Sequence, residues 1–204
     1  MTETLFLASG IVLMAAILQT GIGFGFAIIA TPLLSLIYPP QIAIHINIAL
    51  SLMISVLMLP VLARSVDWGM MGRMALGSAI GAPVGLIFYV FADPGVMRIS
   101  IGIFILCVTA LIALHFVIRQ NRRNEYLAGV LSGAFTSSIG MPGPPLLIYF
   151  AASKTDKVTL RATTLTFFLF VFAISLGLQL YAEPVSSSVW IDNVLLIPIA
   201  LIGM

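Results

Sequence analysis

From Thr4 to Ala63 the chain carries no aspartate, glutamate, lysine or arginine. A water-facing fold has nowhere to put such a run, because ordinary globular proteins are about a quarter charged. Lipid accepts it, so the outer surface is read as facing a bilayer. The whole chain of 204 residues agrees, with 61% hydrophobic and 8% charged residues and a mean hydropathy of +1.18. A crossing helix needs about 20 apolar residues. Crossings are expected at 41–63, 74–91, 96–118 and 157–181, with a further span over 189–204. Met1-Thr2-Glu3-Thr4 lacks the positive start of a signal peptide, and no small-residue cleavage site leads into a polar mature domain. The lone Cys107 sits inside an apolar span and implies neither disulfide nor metal site.

Two apolar stretches are interrupted near their middles. The first break is Gly21-Ile22-Gly23-Phe24-Gly25 and the second is Ile139-Gly140-Met141-Pro142-Gly143-Pro144-Pro145, with Gly23 and Gly140 separated by 117 residues. Paired interruptions of this kind in two halves of a membrane chain point to a transporter's binding site. Residues 4–37 as one helix would run about 50 Å at 1.5 Å per residue, too long for a hydrocarbon core of about 30 Å. Two short half-helices meeting at mid-depth fit better.

Charge placement decides between topologies. If each broken segment crosses once, the nine basic residues divide five to four between the two sides. If each is a hairpin that returns to its own side, loops 64–73, 119–125 and 153–161 hold eight of the nine, leaving Arg98 opposite. Basic residues in short loops mark the cytoplasmic side, which favours hairpins and places the N-terminus outside. The expected architecture is an all-α membrane protein, an inverted-repeat helical bundle with two broken hairpin segments. Residues 1–118 form the first repeat (hairpin 4–37, then three crossings), and 119–125 a cytoplasmic linker. Residues 126–204 form an incomplete second repeat (hairpin 126–152, helices 157–181 and 189–204). At the offset of 117, identities beyond Ile22-Gly23 and Ile139-Gly140 are few.

Irregular backbone at membrane depth survives only inside protein or beside a watery cavity. Half-helices starting near Phe26 and Pro144 would aim free N–H groups and a positive dipole end at the membrane interior, an anion site that needs no buried cation. Candidate solute-binding residues at the first break are Gln19, Thr20, Gly21, Gly23 and Gly25. Those at the second are Ser137, Ser138, Gly140, Pro142 and Gly143. His45 and Asn47, on the helix after the first hairpin, map at the same offset to Ala162 and Thr164, so Thr163 and Thr164 join the set. The small polar residues serve equally well as partners for exposed helix ends. His45 reads either as a solute or proton contact or as a structural hydrogen-bonding residue. Arg161 reads as a snorkelling anchor or as an electrostatic lure for anions.

Trp68, Tyr38, Tyr181 and Trp190 read as interfacial anchors. Gly77, Gly81 and Gly85, with Gly129 and Gly133, have the four-residue spacing that lets membrane helices approach closely. No paired-carboxylate, HExxH, Gly-x-Ser-x-Gly or phosphate-loop pattern supports an enzyme, and no cofactor or nucleic-acid partner is expected. The residues therefore favour a secondary transporter of small anions, coupled to a proton or ion gradient or to a partner, or driven by the solute's own gradient. An anion channel and an accessory membrane subunit without its own pathway are the alternatives.

Gly21-Ile22-Gly23-Phe24-Gly25 through Thr31-Pro32, with Gly133 and Ile139-Gly140-Met141-Pro142-Gly143-Pro144-Pro145, resembles the sulfite exporter TauE/SafE family of membrane permeases along almost the whole chain. The resemblance implies a multi-pass protein of the bacterial inner membrane that exports sulfite or organosulfonates. It also implies a final helix that is missing here, since the counterpart of 96–118 would lie beyond Met204. The expectation is a C-terminally shortened chain, less stable and transport-deficient on its own unless a homodimer supplies the missing contacts.

Overall fold

The computed structural model describes residues 2–114, 118, 120–150, 156–183 and 186–204. Among the described residues there are nine α-helices and no strand. They are α1 (Thr2–Ile22), α2 (Phe26–Ile37), α3 (Pro40–Leu62), α4 (Trp68–Phe91), α5 (Pro94–Ala113), α6 (Arg122–Ile139), α7 (Gly143–Phe150), α8 (Lys157–Ala182) and α9 (Ser187–Ile202), with a 3-10 turn at Ala63–Ser65. Segments of α1, α4, α5 and α8, and α3 with that turn, are long and apolar enough to cross a bilayer. The chain is an all-α membrane protein.

Local chemistry sets the helix starts. Pro40 and Pro94 open α3 and α5, where their missing N–H groups cost nothing. The side chain of Asp67 caps α4 by accepting from Met70 N–H at 2.9 Å. Asn121 Oδ1 caps α6, accepting from Asn124 N–H at 2.8 Å, and Asp156 caps α8 at 3.0 Å from Val158 N–H. Two of these caps explain departures from the expected spans. The helix expected from 74 begins at Trp68, because Asp67 caps it and Arg73 has a partner. The expected linker 119–125 is already helical from Arg122. The helix expected to reach 118 ends at Ala113. Arg119 and Lys154, both counted among the basic loop residues, lie outside the described residues.

Contacts between elements fix which ends lie together. Arg73 pairs with Glu125, Tyr149 donates its hydroxyl to Glu125 Oε1 at 3.2 Å, and Asp67 N–H donates to Thr163 Oγ1 at 2.9 Å. The α3–α4 turn, the start of α6, the end of α7 and the start of α8 thus share one end, with Arg64, Arg73, Arg122, Arg123, Lys157 and Arg161. At the other end Arg98 Nε donates to Ser35 O at 3.1 Å and the Tyr89 hydroxyl to Gln41 O at 3.4 Å. Asp192 lies beside Tyr38 there, and burial together with that carboxylate pushes the Tyr38 hydroxyl up to about 12. The α6–α7 pair is therefore a hairpin, closed at its mouth by Tyr149 and Glu125. The α1–α2 pair also turns back: Thr20, late in α1, meets Arg161 at the basic end, whereas Ser35, late in α2, meets Arg98 at the other.

The glycine spacing does what its chemistry suggests. A Cβ on Gly77, Gly81 or Gly85 would collide with the backbone of Tyr126, Val130 or Ala134, and one on Gly129 or Gly133 with that of Met74 or Ser78. The pairs advance together, so α4 and α6 run parallel at backbone contact.

The arms of the hairpins are unequal. α1, with 21 residues, measures about 31 Å, and α6, with 18, about 27 Å at 1.5 Å per residue. Only the return arms are short. The expectation of two half-helices meeting at mid-depth does not hold: nothing between Thr4 and Thr20 stops a helix, since Gly10 alone is tolerated, so α1 continues to the basic end.

Candidate functional site

The breaks form where the glycines adopt conformations closed to other residues. Gly23 has φ 90°, Gly25 φ 123° and Gly140 φ 74°. Each break is held by the other half of the chain. A Cβ on Gly23 would lie 2.7 Å from Arg161 Cγ, and one on Gly140 2.8 Å from Asn47 Nδ2 and 3.3 Å from Ile44 Cγ2. Asn47 Nδ2 donates to the Gly140 carbonyl at 2.7 Å, and the Arg161 guanidinium donates to the Thr20 carbonyl. α3 and α8, the helices that follow the two hairpins, thus each brace the opposite break. Ile44 and Arg161 are themselves 117 residues apart in the chain.

Several polar atoms on the helices that form and brace the breaks are buried without a partner: the hydroxyls of Thr20, Thr31, Ser51 and Thr164, Nε of Arg161 and Oδ1 of Asn47. Ser and Thr in membrane helices ordinarily return their hydroxyl to the preceding turn, and here Ser35, Ser55 and Ser138 do so at 2.6–2.8 Å. The unpartnered ones are the exceptions. Thr31, Asn47 and Ser51 are 0% exposed. An orphaned buried polar group costs about 1–3 kcal/mol, so the donors among these call for an acceptor. A solute bearing several acceptor oxygens would satisfy them.

Backbone adds to this at one break more than the other. Gly25 caps α2 without a side-chain bond, leaving the first-turn amides of Phe26 and Ala27 at the positive end of the helix dipole. At α7, Pro144 and Pro145 remove two of the first three amides, and Ser132 Oγ donates to the Pro142 carbonyl at 2.9 Å. The first break therefore offers more free backbone amides, with Arg161 against it.

Not every expected residue joins this cluster. Gln19 does, its Nε2 donating to Ser51 O at 3.4 Å. Gly21 faces outward with nothing within 4 Å. Ser137 turns to α8, 2.8 Å from Ser175 Oγ, with its carbonyl taking a bond from Gln179 at 3.1 Å. Ser138 lines a separate cavity between α4, α5 and α6. Thr163 holds the α3–α4 turn. A Cβ on Gly143 would lie 3.7 Å from Phe168 Cζ. His45 lies toward the other end, edge-on to Trp190. Residues two apart on a helix point about 200° apart at 3.6 residues per turn, so His45 cannot share Asn47's face. Thr31 and Ser51 escaped the sequence reading. Ser51 was findable, one turn beyond Asn47 on the same face. Thr31 follows only from how α2 packs.

A 640 Å³ groove between α5, α6 and α7 is lined by Phe104, Cys107, Leu131, Phe135, Pro145 and Ile148 among others. It is apolar and suits lipid rather than an anion. Among the described residues no group of three or more His, Cys, Asp or Glu side chains is placed to hold a metal.

The family model described as "Sulfite exporter TauE/SafE" matches residues 8–204. No curated protein and no solved structure matches the chain.

Proposed function

The chain belongs to the sulfite exporter TauE/SafE family, and from that premise we propose that it is a secondary exporter of small sulfur-containing oxyanions, sulfite or an organosulfonate. The solute binds between the two breaks, on the Thr20, Thr31, Ser51 and Thr164 hydroxyls, the Arg161 guanidinium and the α2 amides. Transport is by alternating access, with residues 1–118 and 126–204 acting as inverted halves. The exchange of braces between α3 and α8 supports that symmetry, since each break packs against the same position of the opposite half. The single observation that carries the anion reading is the set of buried, partnerless donors at the breaks. The basic end is cytoplasmic by the positive-inside rule, and the N-terminus is external.

Efflux from proteoliposomes loaded in turn with sulfite, a small sulfonate, a carboxylate and a monovalent cation tests this. Sulfite or sulfonate should leave, and the cation should not. Cation flux, or no flux of any of the four, would remove the reading. The latter result would favour an accessory subunit.

A further inference from the structure

A second polar site lies at the end away from the basic loops. A 160 Å³ cavity there is lined by Gln41, His45, Tyr89, Glu183, Ser186 and Val189 among others. His45 is 1% exposed, and neither ring nitrogen has a hydrogen-bond partner. An imidazole inside a membrane protein is normally fixed by at least one bond, so a ring bare at both nitrogens beside a polar cavity is a site for something that binds to nitrogen. The cavity is about the size of a few water molecules, and a water's share of liquid volume is about 30 Å³. That is room enough for water to carry a proton to the ring.

We propose that His45 is a proton-binding residue, loaded through this cavity from the external side with Glu183 as its counter-ion. A proton from external water adds to the free lone pair of a ring nitrogen, giving an imidazolium, and leaves from the same atom later in the cycle. The other titratable groups at this end are Tyr89 on α4, which donates to Gln41 O, Tyr38 beside Asp192 of α9, Asp93 at the N-cap of α5 and the exposed Tyr181 near the end of α8. Arg98 on α5 is held by Ser35 O, and Glu3 sits in the first turn of α1. α2 brings no charged side chain, and Arg161 of α8 is at the opposite end. Glu183, which closes α8, is therefore the carboxylate that lines the cavity with the ring.

The position links proton to solute. His45 is two residues from Asn47, which holds the Gly140 carbonyl, so a shift of α3 on charging would reach the second break. The link to transport rests on the exporter reading. Proton binding itself does not. Coupling takes the form of one proton inward for each anion outward.

Trp190 supplies a local reporter, with its ring centroid 5.4 Å from that of His45 at an interplanar angle of 87°. The other tryptophan, Trp68, is removed as Trp68→Phe. In nanodiscs, Trp190 emission should fall along a single titration curve as pH is lowered, because a charged imidazole quenches the indole. His45→Gln should abolish that curve, and Glu183→Gln should move its midpoint to lower pH, the charged ring having lost its counter-ion. Emission independent of pH, or an unchanged curve in His45→Gln, would overturn the proton site. In proteoliposomes an inward proton gradient should speed sulfite efflux through the parent protein and not through His45→Gln. Equal acceleration in both would overturn the coupling. A parent protein that moves no sulfite while Trp190 still titrates would sink the exporter reading and leave the proton site standing.

Discussion

At the scale of residues, the account turns on three positive-φ glycines and the side chains they admit. Gly23→Val and Gly140→Val each add a branched side chain to a backbone that L-residues avoid, at about 1–3 kcal/mol, and each drives it into Arg161 or Asn47. Both variants should insert into the membrane and lose most transport, measured as efflux normalised to protein in the vesicles. Normal flux in both would take the breaks out of the mechanism. The glycines were legible in the sequence because only they tolerate these angles between helices. The donors were half legible. Thr20 and Thr164 stand next to sequence landmarks, while Thr31 is placed by packing that no local pattern encodes. His45 and Asn47 looked like one pair, and helical pitch separates them.

At the scale of elements, the two hairpins and the parallel α4–α6 pair set the topology. Charge counting expects loops 64–73, 119–125 and 153–161 to share an end, because eight of nine basic residues then fall together. Among the described residues, the Arg73–Glu125 and Asp67–Thr163 contacts bring the α3–α4 turn and the starts of α6 and α8 to one end. The unequal arms were not legible, since a break marks where a helix stops and not how deep that point lies. The side is the prediction. In a Cys107→Ser background, single cysteines at positions 64, 122 and 157 should react with an impermeant maleimide only from the cytoplasmic face, and one at 98 only from outside. Labelling of 98 from the cytoplasm would invert the orientation, and with it the direction of proton entry.

At the scale of the whole molecule, two of the three apolar clusters among the described residues meet on α3. α1, α2, α3 and α9 share one apolar cluster, and α3, α4, α7 and α8 share another. α3 belongs to both, and its Asn47 and Ser51 carry polar contacts to the second and first break. A rocking of one half against the other would move the two braces together, which is what an alternating-access carrier requires. A carrier with a site saturates. The rate of sulfite efflux from proteoliposomes, measured against internal sulfite concentration, tests this most directly. The parent protein should saturate, and Arg161→Gln should raise the half-saturating concentration by roughly tenfold or more, since a hydrogen bond to a charged group contributes about 1.5–3 kcal/mol and 1.4 kcal/mol is a factor of ten. Efflux that rises linearly without saturation, or a half-saturation unchanged by Arg161→Gln, would contradict an anion site at the breaks.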